Sequence, residues 1–107
     1  MQASQVKSEF PSIKRSVDQA AQLCQTSNDV PENVRGALEQ LNRQASEASR
    51  FLEQETNDEK ILQCIDELEE LGDQAKNACR SSQVNEQVAE AVVKAHDAIS
   101  DLQRRLH

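Results

Sequence analysis

Asp18-Gln19-Ala20-Ala21-Gln22-Leu23-Cys24 returns 55 residues later as Asp73-Gln74-Ala75-Lys76-Asn77-Ala78-Cys79, with four of the seven residues unchanged. After a one-residue gap, Val30, Glu32, Val34 and Ala37 return as Val84, Glu86, Val88 and Ala91, and Ser46, Arg50 and Leu52 as Ser100, Arg104 and Leu106. About 12 of roughly 39 aligned positions are identical, against about four for two unrelated helices rich in Ala, Gln and Glu. The repeating unit has room for two helices and a turn. The chain therefore reads as a duplicated helical hairpin, with repeats at about 12–54 and 57–107 inside a single domain spanning 1–107.

Composition agrees with an all-α fold. Apolar residues make up 36% of the 107, the aromatics are two phenylalanines, and Gly and Pro occur only twice each. A helix 1 from about Ser12 to Gln25 carries the stripe Phe10, Ile13, Val17, Ala20, Ala21 and Cys24, with Pro11 placed where a first-turn proline is tolerated. Asp29-Val30-Pro31-Glu32 has the spacing of a capping box and opens helix 2, whose seam is Val30, Val34, Ala37, Leu38, Leu41, Ala45, Ala48 and Leu52. Thr56-Asn57-Asp58-Glu59 gives a second box before helix 3, and Ser81-Ser82-Gln83 breaks the pattern before helix 4. Short connections make consecutive helices antiparallel, so the predicted fold is an up-down-up-down four-helix bundle. Gly72 stands where the first repeat has Val17, which marks a close helix crossing, expected opposite Phe10 or Phe51, with a gap for a ligand as the alternative.

Four-helix bundles host well-defined sites, and each leaves a local signature. A di-iron carboxylate centre needs Glu-x-x-His on two helices, so that adjacent turns aim both ligands at one metal pair; the residue three before His96 is Val93. The other histidine, His107, ends the sequence. No cysteine pair is spaced Cys-x-x-Cys, which removes zinc-ribbon, dithiol and haem-attachment chemistry. A phosphoacceptor histidine would have a lysine and, one turn on, a glycine after it, and in Val93-Lys94-Ala95-His96-Asp97-Ala98-Ile99-Ser100 neither follows His96. His96 instead reads as a boundary residue flanking the core. Two isolated glycines build no phosphate loop. No catalytic residue, cofactor or metal ligand is therefore assigned. Cys24 and Cys79 fall on core stripes and read as buried small hydrophobes, with Cys64 as the more exposed thiol.

The charge is unevenly placed. Between Glu53 and Asp73 nine acids stand against one base, Lys60, giving that segment −8 in a chain of net charge −7. Acids in the first turn favour the helix dipole, but Asp66, Glu67, Glu69, Glu70 and Asp73 lie beyond its reach. They form the candidate contact for a basic protein surface. Scattered Lys and Arg without Tyr or Trp argue against nucleic acid and against a membrane surface. No apolar run spans a bilayer, Met1–Gln5 has no signal-like character, and three cysteines suit reduced thiols; the expectation is a soluble cytoplasmic protein. The functional expectation is a non-enzymatic protein-interaction module. The alternatives are a self-assembling homodimer and a ligand- or metal-dependent enzyme with a site built from residues such as Cys64, His96 and Asp97.

Overall fold

Apolar side chains spaced alternately four and three residues apart line one face of each of four helices. In the computed structural model, which describes residues 3–106, these are α1 (Ala3–Thr26), α2 (Glu32–Gln54), α3 (Asp58–Ser81) and α4 (Glu86–Leu106). The buried rows are Val6, Phe10, Ile13, Val17, Ala20 and Cys24 on α1, and Val34, Leu38, Leu41, Ala45, Ala48 and Leu52 on α2. On α3 and α4 they are Ile61, Ile65, Leu68, Gly72 and Ala75, and Val88, Val92, Ala95, Ile99 and Leu102. A 3.5-residue period keeps each row facing the others along its whole length, as in coiled coils. At 1.5 Å per residue, helices of 21 to 24 residues account for most of the 41 Å long axis, so all four run along it.

Each helix packs on two neighbours, in the ring α1, α2, α3, α4 and back to α1. Side-chain bonds fix the directions. Lys7 Nζ near the start of α1 donates to the Glu53 carbonyl near the end of α2 (3.5 Å), and Gln44 Nε2 donates to Glu67 (3.4 Å). Gln103 Nε2 donates to Asp66 Oδ1 (2.8 Å), and Arg105 pairs with Glu9 (2.5 Å). Every adjacent pair is antiparallel, giving the expected up-down-up-down bundle.

The two hairpins share one frame. Both ends of α3 lie 55 residues after those of α1, and α4 starts 54 after α2. The same shifts carry most of the buried seam onto itself: Val6 to Ile61, Phe10 to Ile65, Ile13 to Leu68, and Leu38, Leu41 and Ala45 to Val92, Ala95 and Ile99, while Cys24 and Leu52, near the helix ends, map to the part-exposed Cys79 and Leu106. The gap between shifts falls in the connections, 27–31 against 82–85.

Local details differ from the sequence reading. α1 does not start at Ser12; it begins at Ala3 and carries Pro11 inside. An interior proline disfavours a helix by about 3 kcal/mol, whereas burying side chains such as Val6 and Phe10 gains about 1.5–3 kcal/mol each, so tertiary packing prevails. Pro11 itself faces solvent. Asp29 does not cap α2: Pro31 occupies the N-cap without a side-chain bond, and its carbonyl accepts from the amides of Val34 and Arg35. Arg35 holds the connection instead, donating to the carbonyls of Ser27 (2.6 Å) and Val30 (3.3 Å). Asn57 rather than Thr56 caps α3, accepting from the Lys60 amide at 3.2 Å. Asn85 caps α4, accepting from the Val88 amide at 2.9 Å. Cys64 is buried and Cys79 is the half-exposed thiol, the reverse of the expectation. Burial pushes the Cys64 thiol up to about 11, helped by the Glu67 carboxylate, and also raises Cys24 and Cys79.

Candidate functional site

The site starts from a missing side chain. Gly72 occupies a core position of α3, and a Cβ there would meet His96 Cδ2 at 3.5 Å, His96 Cα at 3.8 Å and Ile99 Cδ1 at 3.8 Å. The close crossing read from the sequence exists, but its partner is α4, not Phe10 or Phe51. Phe51 faces largely outward. Without a side chain at Gly72, the imidazole of His96 lies against the α3 backbone, where it is only 8% exposed.

One turn of α3 then brings two carboxylates to the ring. Glu69 and Asp73 are four residues apart and so share a helix face. His96 Nε2 lies 2.5 Å from Asp73 Oδ1 and 3.4 Å from Glu69 Oε1. On the other side of the ring, Nδ1 is 3.3 Å from Asp97 Oδ1. Ser100, one turn along α4, donates to Glu69 Oε1 at 2.9 Å and has its Oγ 3.4 Å from His96 Nε2. Ligand atoms of Glu69, Asp73 and His96 all fall within 4.8 Å of one another. An imidazole nitrogen with two carboxylate oxygens is a donor set suited to a borderline divalent ion such as zinc, or to a hydrogen-bonded histidinium.

The five acids singled out from the sequence do not form one patch. Asp66, Glu69 and Asp73 share the side of α3 that meets α4, where they bond to Gln103, Ser100 and His96. Glu67 leans toward α2 and accepts from Gln44, while Glu70 is exposed. Cys64 is buried, with Glu67 as its charged neighbour, and its thiol is not among the groups gathered at His96, which are Glu69 and Asp73. Glu69 and Asp73 could not be joined to His96 from local spacing, because they come from α3 and the ring from α4. A groove of about 570 Å³ lined by Gln19, Leu23, Thr26, Gln87, Ala91 and Lys94 lies on the α1 side of α4, away from His96.

No family model matches the chain, and no curated protein or solved structure matches it either. No helix among the described residues is long and apolar enough to cross a membrane.

Proposed function

We propose that the protein is a small non-enzymatic helical interaction module that docks a Lys/Arg-rich protein surface along α3 and the α2–α3 connection. The observation that carries this reading is the placement of charge: Glu53, Asp58, Glu59, Glu67 and Glu70 are all exposed, and Lys60 is the one base in their segment. Lys14 pairs with Asp18, and Arg105 with Glu9 and Asp101, outside this segment. A concentrated negative surface of this kind accelerates encounter with a basic partner and sets its orientation. The seam of each hairpin is filled by the other hairpin of the same chain, so the apolar pattern needs no second copy for its burial.

The test is binding of a Lys/Arg-rich peptide, followed by fluorescence anisotropy at low and high salt. The double variant Glu67→Lys/Glu70→Lys changes exposed acids without touching the bonds that Asp66, Glu69 and Asp73 make to α4. Weakened, salt-sensitive binding with unchanged helicity supports docking through α3. Equal binding by both proteins removes α3 from the interface.

A further inference from the structure

The first hairpin contains a counterpart of the His96 cluster, and it is closed by a cation of its own. Lys14 Nζ pairs with Asp18 Oδ1 at 2.5 Å and donates to Asn42 Oδ1 at 3.5 Å, tying α1 to α2. The shifts that relate the hairpins carry Lys14 to Glu69, Asp18 to Asp73, Asn42 to His96, Arg43 to Asp97 and Ser46 to Ser100. The second hairpin keeps the aspartate and the serine. It replaces both cationic side chains by carboxylates and the amide by an imidazole.

Both nitrogens of the His96 ring face carboxylates. The neutral ring has one N–H, yet Nε2 faces Asp73 at 2.5 Å and Nδ1 faces Asp97 at 3.3 Å. Whichever nitrogen carries the hydrogen, the other directs a lone pair at a carboxylate oxygen, on a side chain more than nine-tenths buried as a residue. A metal ion on Nε2, with Nδ1–H donating to Asp97, answers both contacts, and a carboxylate on the second nitrogen is the usual way a ligating histidine is oriented.

We propose that Glu69, Asp73 and His96 bind one divalent transition-metal ion, zinc fitting the donor set best, in the place that Lys14 Nζ takes in the first hairpin. Zinc bonds of about 2.0–2.2 Å at a tetrahedral angle separate ligands by about 3.4 Å. The His96–Glu69 separation is already 3.4 Å. Asp73 stands closer, at 2.5 Å, but its side chain is 52% exposed and has room to withdraw. The ion clamps α3 to α4 as the lysine clamps α1 to α2, with the remaining coordination position available to water. A doubly protonated ring would meet the same two contacts, and adding the metal separates the two cases.

The experiment is calorimetric titration of the full chain with zinc chloride at neutral pH, with native mass spectrometry for stoichiometry. The wild-type chain should take up one zinc ion and gain thermal stability, while magnesium has no such effect. Asp73→Asn, at a half-exposed side chain, and His96→Gln should each abolish uptake, and Asp97→Asn should weaken it by about 10- to 100-fold. Cys79→Ser should bind as wild type. Absence of uptake by the wild-type chain, undiminished uptake by folded Asp73→Asn, or loss in Cys79→Ser would each overturn the assignment.

Discussion

Gly72→Ala should make the bundle more stable, although it fills a core position. The added methyl would lie 3.5 Å from His96 Cδ2 and 3.8 Å from both His96 Cα and Ile99 Cδ1, which are ordinary contact distances, so no neighbour has to move. Replacing an interior helical glycine by alanine gains up to about 1 kcal/mol of propensity. Burying one methyl adds up to about 0.8 kcal/mol, for a combined gain of about 1–2 kcal/mol. At about 4–8 °C per kcal/mol for a domain near this size, Tm should rise by at least about 4 °C in thermal melts followed by circular dichroism. Gly36→Ala is the control. Nothing lies within 4 Å of a Cβ there, so only the propensity gain of up to about 1 kcal/mol applies. Gly72→Val, which restores the residue type of Val17, places two further carbons against the ring and should lose about 1–3 kcal/mol. A Gly72→Ala protein less stable than wild type would refute the account of the α3–α4 crossing.

Pro11→Ala should raise stability by up to about 3 kcal/mol, read from urea unfolding, because the proline sits inside α1 on an exposed position; a loss would mean that α1 does not run through it. Asn85→Ala should cost about 1 kcal/mol while Asp29→Ala stays within about 0.5 kcal/mol, since Asn85 caps its helix and Asp29 does not. Equal effects in thermal melts would restore the capping box read from the sequence. Cys64 titrates at about 11 when folded, up from 9.0, so its contribution is fully present below pH 9.0 and is lost as pH rises through about 11. Unfolding free energy should therefore fall across that window, less steeply in Cys64→Ala, and Cys64 should resist alkylation in the native state at mildly alkaline pH. Rapid native labelling of Cys64 would contradict its burial.

The bundle was legible because its seams are regular. Rows such as Val34, Leu38, Leu41, Ala45, Ala48 and Leu52 alternate spacings of four and three, and the connections leave little choice but antiparallel neighbours. Pro11 obscures the start of α1: its local rule puts a proline in the first turn, whereas Ile61, on the matching stripe of α3, points to Val6 as a core position. The caps are ambiguous where several polar residues compete, since Asp29 and Thr56 have capping side chains two and one positions before the N-caps Pro31 and Asn57. The acids of α3 looked like one patch in linear sequence. A helix turns about 100° per residue, which sends Asp66, Glu69 and Asp73 toward α4 and leaves Glu70 outside. Motif spacing along one helix could not reveal the His96 cluster, because its ligands come from two. The signal present was comparative: under the repeat shifts, Lys14 becomes Glu69 and Asn42 becomes His96.

That the hairpins share a frame, and that the second holds a metal ion where the first holds the Lys14 ammonium, is tested most directly by anomalous diffraction at the zinc edge. Crystals of the wild-type chain and of Glu69→Lys, grown with zinc, would be compared. The account predicts one peak between Glu69, Asp73 and His96 Nε2 in the wild type. In Glu69→Lys it predicts no peak, with the introduced ammonium bonded to Asp73 as Lys14 is to Asp18. A wild-type site empty of zinc, or a peak that survives in Glu69→Lys, would contradict it.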